Sequence, residues 1–218
     1  MIRGEPTHAM ISTPPLVFIV DDDVSVRESL ESLVECAGWA PETFSSAREF
    51  LARERACAPC CLVLDVGLPD LNGLDLQKQI GVDRSDMPII FITGYGSVPM
   101  TVQAMKAGAV EFLTKPFDDE VLITAITHAI ETSRLALARE EGMRTLRESH
   151  ASLSRREREV MALVVSGLLN KQVGSELAIS EITVKAHRGR VMQKMNAGSL
   201  ADLVNMAARL GLPAAPGR

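Results

Sequence analysis

Five short apolar runs, at residues 16–20, 42–44, 62–64, 89–92 and 110–113, alternate with stretches whose apolar residues recur every three or four positions. Runs of the first kind build strands and stretches of the second kind build one face of a helix, so the chain up to residue 135 reads as strand and helix in alternation. Strands joined through helices run parallel, and a parallel sheet is covered by helices on both faces. That accounts for "LVFIV" at 16–20, which is apolar at every position instead of every second one. The first helix repeats at Val26, Leu30, Leu33, Val34 and Ala37. The second opens with Ser46 and Glu49 in the spacing of a capping box, whose side chains satisfy amides left free by the first turn. The expected architecture is a doubly wound α/β domain with a five-stranded parallel sheet over 14–135, preceded by a disordered tail at 1–13.

From residue 118 the pattern becomes one long helix, apolar at Leu122, Ile126, Ala129 and Ile130 and then increasingly polar through "RLALAREEGMRTLRES". It reads as a helix that leaves its domain and becomes a helical linker over 136–151, with Gly142 its weak point. Beyond His150 strand signals cease. Ser154 with Glu157, Ser180, and Ser199 with Asp202 stand where helix N-caps belong. They mark an all-α, four-helix domain over 152–212, with helix, tight turn and helix at 170–195 and a tail at 213–218. No apolar run is expected to cross a bilayer, and the N-terminal residues lack the apolar centre of a secretory signal, so a cytoplasmic protein with no membrane partner is anticipated. Cys57 and Cys60 have a C-x-x-C spacing, but no second pair completes a zinc site, and Cys60 and Cys61 lead into "LVL" as buried, reduced thiols.

The net charge of −5 conceals an asymmetry: residues 1–120 hold 9 Lys/Arg against 19 Asp/Glu, residues 121–150 hold 4 of each, and residues 151–218 hold 10 against 5. An acidic front and a basic back suit a polyanion partner for the C-terminal domain, because phosphate contacts need Lys and Arg on one surface.

In an open parallel sheet, ligands bind beyond the carboxyl ends of the strands. Asp21 and Asp22 follow the first run, Asp65 ends the third, Thr93 ends the fourth and Lys115 follows the fifth, so four strand ends bring them to one edge. Three carboxylates there would repel one another unless a cation stood among them, and Mg2+ takes oxygen ligands while keeping waters that a phosphate can replace. Asp65 then has the chemistry of a nucleophile toward a phosphoryl donor, with Thr93 to donate a hydrogen bond to the new group and Lys115 to pair with its charge.

The segments "FIVDDDVSVRESL", "LVLDVGLPDLNGLDL", "IIFITGYG" and "EFLTKPF" resemble the motifs of bacterial response-regulator receiver domains. The resemblance implies the strand order 2-1-3-4-5, phosphorylation of Asp65 by a sensor histidine kinase, and Mg2+ held by Asp21, Asp22, Asp65 and the backbone carbonyl of Gly67. It implies a cis Lys115–Pro116 bond, and it makes Thr93 and Phe112 the pair that rearranges on phosphorylation. Asp23 falls outside that site and reads as the cap of the first helix. The segment "LSRREREVMALVVSGLLNKQVGSELAISEITVKAHRGRVMQKM" is similar to helix-turn-helix output domains of the FixJ/NarL/LuxR type. That likeness implies double-stranded DNA as a partner, with the third helix in the major groove, RNA polymerase as a further partner, and homodimer formation on phosphorylation.

On a helical projection Val184, His187, Val191 and Met195 form the inward seam, and Ile182, Lys185, Ala186, Gly189 and Gln193, flanked by Arg190, face outward. The family's base-reading places fall on Lys185, Ala186 and Gly189. Thr183 and Arg190 border them, and Lys171, Arg188 and Lys194 are candidate phosphate contacts. Gly189 has no side chain to touch a base, and Ala178 stands in the turn where the family often has Gly or Asn. Two other readings remain open. Asp21-x-Asp23-x-Ser25 with Thr93 and Lys115 loosely mimics a haloacid-dehalogenase-like phosphatase with Asp21 as nucleophile, and the C-terminal helices would suit protein or RNA docking.

Overall fold

The computed structural model describes residues 14–84 and 86–212, so the tails expected at 1–13 and 213–218 lie outside the described residues. The chain divides into two compact units, Met1–Leu137 and Ala138–Arg218.

In the first unit β1 (Leu16–Val20), β2 (Ala40–Phe44), β3 (Cys60–Asp65), β4 (Ile89–Thr93) and β5 (Glu111–Thr114) form one parallel sheet in the order β2-β1-β3-β4-β5. They alternate with α1 (Val24–Cys36), α2 (Ala47–Leu51), α3 (Gly73–Asp83), α4 (Val98–Lys106) and α5 (Asp119–Ala151). β2 starts two residues earlier than its apolar run, at Ala40 and Pro41. Proline lacks an N–H for the ladder, and β2 tolerates it because it is an edge strand.

Successive side chains of each strand enter opposite layers. Phe18, Val20, Leu62, Leu64 and Phe91 pack with Phe50 of α2, Leu76 and Ile80 of α3 and Ala104 of α4. Val17, Ile19, Cys61, Val63, Ile90 and Ile92 pack with Leu30 and Val34 of α1 and with Leu122, Ile126 and Ala129 of α5. Each such Leu, Ile or Phe contributes roughly 1.5–3 kcal/mol by leaving water, which is why β1, β3 and β4 carry no polar alternation. All four cysteines are free, with Cys60 and Cys61 buried and Cys36 and Cys57 exposed. Burial pushes the Cys60 thiol up to about 11, so it stays protonated and inert near neutral pH.

Helix α5 departs from expectation twice. It is long and apolar enough by length and composition to cross a bilayer, yet Leu122, Ala125, Ile126, Ala129 and Ile130 are buried against the sheet. It also runs through Gly142 without a break to Ala151. Residues 138–151, expected as part of a linker, carry Leu146 into the core of the second unit with Met143 packed beside it.

That second core is completed by α6 (Arg155–Val165), α7 (Asn170–Leu177), α8 (Glu181–Lys194) and α9 (Leu200–Arg209) through Val160, Met161, Val173, Val184, Val191, Met195 and Leu203. Ser154 and Glu157 form the expected capping box on α6, and the Ser180 and Ser199 side chains cap α8 and α9. At α2 the box is altered: Ser46 accepts from the Glu49 amide, but the Glu49 carboxylate takes the amide and hydroxyl of Ser45. Between α7 and α8 the chain turns at Ala178, which adopts φ 54° and ψ 42°, a left-handed conformation that costs a side-chain-bearing residue roughly 1–2 kcal/mol. Gly174 makes the turn tight, since a Cβ there would lie 2.8 Å from the Ile179 carbonyl oxygen.

Candidate functional site

The carboxyl edge of the sheet gathers Asp21, Asp65, Thr93 and Lys115. Asp21 is 1% exposed, Asp65 6% and Thr93 4%. Parallel pairing sets Asp65 opposite Ile92 and Thr93 opposite Thr114, and the Lys115 amide donates to the Thr93 carbonyl at 2.7 Å, so the ends of β3, β4 and β5 are level. Lys115 then reaches across the edge. Its Nζ lies 2.6 Å from Asp21 Oδ2 and 3.0 Å from Asp65 Oδ1. The repulsion between the two carboxylates is thus relieved by an ammonium held between them.

The remaining oxygens are also engaged. Asp21 Oδ1 accepts the Asp23 amide at 3.0 Å, and Asp65 Oδ2 accepts the Gly67 amide at 2.6 Å. A Cβ on Gly67 would stand 3.1 Å from that same Oδ2, so glycine keeps the loop close to the carboxylate. Burial raises the Asp21 carboxyl above its ordinary value, and the hydrogen bond and charge of Lys115 offset that only in part. For Lys115 burial acts to lower the ammonium, but hydrogen bonds and charge from Asp21 and Asp65 outweigh it and raise it. Thr93 Oγ1 accepts the Tyr95 amide at 3.2 Å, which leaves its hydroxyl proton free for an acceptor arriving at the edge. The Lys115–Pro116 bond is cis.

Asp22 is exposed, and among the described residues no three His, Cys, Asp or Glu side chains stand together to hold an ion. Asp23, by contrast, caps α1 as anticipated, accepting from the Ser25 and Val26 amides. Phe112 is half-buried, its ring centroid 6.0 Å from that of Phe91. Three residues that sequence reasoning passed over also shape this edge. Arg27 donates from Nη1 to the Asp21 carbonyl at 2.6 Å. Asp70, in the loop after β3, accepts the Ala47 and Arg48 amides and so ties that loop to the start of α2. Gly96 presses on the neighbourhood of Phe112: a Cβ there would stand 2.6 Å from Thr114 Cγ2 and 3.3 Å from Phe112 Cε1. Arg27 had a signal in its place one turn into the helix after the carboxylates; Asp70 and Gly96 had none, because their partners are distant in sequence.

In the second unit α8 buries Val184 and Val191, with Met195 buried just past its end, and leaves Ile182, Lys185, Ala186, Gly189, Arg190 and Gln193 exposed, the division expected. His187 is half-buried, and its enclosed Nδ1 has no hydrogen-bond partner among the described residues. Lys185 pairs with Glu181 along the helix at 3.1 Å, and Thr183 bonds through its amide and hydroxyl to the capping Ser180. Arg188 Nη1 donates to Asn170 Oδ1 at 3.2 Å, linking α8 to α7, and Lys171 on α7 is exposed. Lys194 is exposed, and its Nζ lies 2.7 Å from the buried Glu157 carboxylate and 3.2 Å from the Ser152 carbonyl.

Residues 17–127 match the family model of the response regulator receiver domain, and residues 151–207 match that of the bacterial regulatory proteins of the luxR family. Nodulation protein W of Bradyrhizobium diazoefficiens is 48% identical over 212 residues, covering 97% of this chain and 93% of that protein. Transcriptional regulatory protein FixJ of Rhizobium meliloti is 44% identical over 191 residues, covering 88% and 94%. The solved structure of the response regulator StyR superposes with a TM-score of 0.82 at 45% identity, over 90% of this chain and 99% of that one. With a receiver at one end, a LuxR-type helix-turn-helix at the other and relatives matched along nearly their whole length, the chain belongs to the two-component response regulators that regulate transcription, and it is not a turnover enzyme.

Proposed function

We propose that a sensor histidine kinase phosphorylates Asp65 in the cytoplasm, and that the phosphoryl group controls pairing of two copies and their binding to operator DNA. The observation that carries this reading is the convergence of the Lys115 ammonium and the Gly67 amide on the two oxygens of Asp65. One carboxylate oxygen attacks the phosphorus of a phosphohistidine, the phosphorus–nitrogen bond breaks, and the imidazole leaves with the bonding pair. Lys115 then pairs with the added charge, and the free hydroxyl proton of Thr93 has an acceptor.

Receiver domains generally bind Mg2+ at their acidic pocket. Asp21 and Asp65 fit such an ion because they offer oxygen donors only, and one or two carboxylates suffice for a cation that keeps several waters. In this chain Asp21, Asp22, Asp65 and the Gly67 carbonyl would hold it, and it would supply charge neutralisation at the transferring phosphoryl group. Movement of Thr93 toward that group opens space beside Phe112, whose turning remodels the neighbouring surface. α4 and the loop before it already expose Tyr95, Val98, Val102 and Met105, an apolar face suited to pairing two copies.

In the output domain α8 enters the major groove with Lys185, Ala186 and Gly189 toward the bases, Thr183 and Arg190 beside them, and Lys171 and Arg188 toward phosphates. Lys194, paired with Glu157 on its inner side, is a further candidate for a phosphate. RNA polymerase is the partner through which bound dimers act. A phosphatase with Asp21 as nucleophile is not favoured, because the matched families are regulators. The deciding experiment incubates the protein with Mg2+ and a small acyl phosphate and reads intact mass. Wild type gains one phosphoryl group and Asp65→Asn gains none; full labelling of Asp65→Asn with loss of labelling in Asp21→Asn would overturn the assignment.

A further inference from the structure

The outward stripe of α8 is chemically unusual for a helix that reads base edges. Ile182, Ala186 and Gly189 follow one another along it at helical spacing, and none offers a hydrogen bond from its side chain. Ile182 is 79% exposed, on the face of the helix away from the buried Val184 and Val191. Gly189 costs an exposed helix interior about 1 kcal/mol relative to alanine. Nothing among the described residues requires it, since an added Cβ would meet none of their atoms within 4 Å. Lys185, Arg188 and Arg190 flank the stripe with positive charge, so an apolar strip lies inside a basic surface.

The major groove presents one apolar group that a side chain of this kind can recognise, the 5-methyl of thymine. Resting on the proposal that α8 enters that groove, we infer that Ile182 reads a thymine methyl, with Ala186 beside it and Gly189 admitting the duplex close to the helix backbone. Sequence preference at this position is then for thymine through its methyl group, and Lys185 supplies the polar readout next to it. Ile182 is a specificity-determining residue that hydrogen-bond reasoning overlooks.

Replacing thymine by deoxyuridine removes the methyl and changes nothing else in the base pair. Duplexes selected from a random pool by the full-length protein, treated with a beryllofluoride phosphate mimic, are resynthesised with single thymine-to-deoxyuridine replacements, and affinities are measured at one salt concentration. Wild type is expected to lose about fourfold at one or two thymines per half-site, the change that burial of one methyl of ~0.8 kcal/mol corresponds to. The Ile182→Ala variant, altered at an exposed position, should bind the thymine and deoxyuridine duplexes equally while keeping the salt dependence of wild type. Retention of wild-type affinity at every replaced thymine, or an unchanged fourfold loss in Ile182→Ala, overturns the inference while leaving DNA binding intact. A protein that enriches no duplex from the pool overturns both the inference and the reading beneath it.

Discussion

At the scale of single residues, two buried carboxylates, Asp21 and Asp65, share the one ammonium of Lys115. Because burial raises the Asp21 carboxyl in the folded protein, the fold binds that proton more tightly than the unfolded chain does. A carboxyl raised in this way weakens the fold as pH rises through the acid range and the group ionises. Asp21→Asn is therefore expected to melt at or above the wild-type temperature at neutral pH, with the advantage shrinking toward acid, while Mg2+ affinity falls by roughly 10–100-fold or more. Thermal melts by circular dichroism and Mg2+ titration check the two halves separately; a variant that melts well below wild type at neutral pH contradicts the burial argument. Asp21, Asp65, Thr93 and Lys115 were legible in the sequence because each sits at the end of an apolar run, and strand ends in a parallel sheet converge. Asp21 is buried at the edge and Asp22, the next residue, is exposed, a difference that a run of three aspartates does not announce. Asp70 and Gly96 act through partners 22 or more and 16 or more residues away, separations over which no local pattern speaks.

At the scale of elements, the apolar runs located every strand, and the misses lie where tertiary context decides. Pro41 belongs to β2 because of its edge position, and the C-terminal turns of α5 are core because Leu146 finds a pocket that its polar neighbours conceal. Lys194 of α8 also has a structural role. A lysine near a helix end has the pattern of a phosphate contact, and Glu157 at the start of α6 is buried and needs a counter-charge as well. The Lys194 hydrogen bond, with those from Ser154, holds the Glu157 carboxyl down at about 2. A carboxyl lowered in the fold stabilises it above the ordinary value of 4.5, and that contribution is lost as pH falls toward 2. Glu157→Gln is expected to cost about 1–2 kcal/mol near neutral pH, and the difference from wild type should close between pH ~4.5 and ~2. Melts monitored by helical circular dichroism across that range test it; a gap independent of pH would show that packing, and not the ion pair, is what glutamine disturbs.

At the scale of the whole molecule, an acidic receiver and a basic output domain divide the work of sensing and binding. In the proposed mechanism, pairing two receivers would bring two output domains to two half-sites and make the second contact intramolecular, which would raise avidity by roughly 10²–10⁴ without any new contact to DNA. Conversion from a 1:99 to a 99:1 ratio of monomer and dimer requires phosphorylation to favour the pair by about 5.5 kcal/mol. Sedimentation at micromolar concentration should show a monomer that becomes a dimer on adding a phosphate mimic, and the shift should disappear when Val98 and Val102 on the exposed face of α4 are both replaced by aspartate. A dimer that survives that change uses another surface. The central claim is that a phosphoryl group on Asp65 governs DNA binding, and operator affinity before and after treatment with acyl phosphate and Mg2+ tests it most directly, in wild type and Asp65→Asn side by side. Wild type should tighten by roughly 10²–10⁴-fold and Asp65→Asn should not respond; equal affinity of wild type in both states, or a full response in Asp65→Asn, would contradict it.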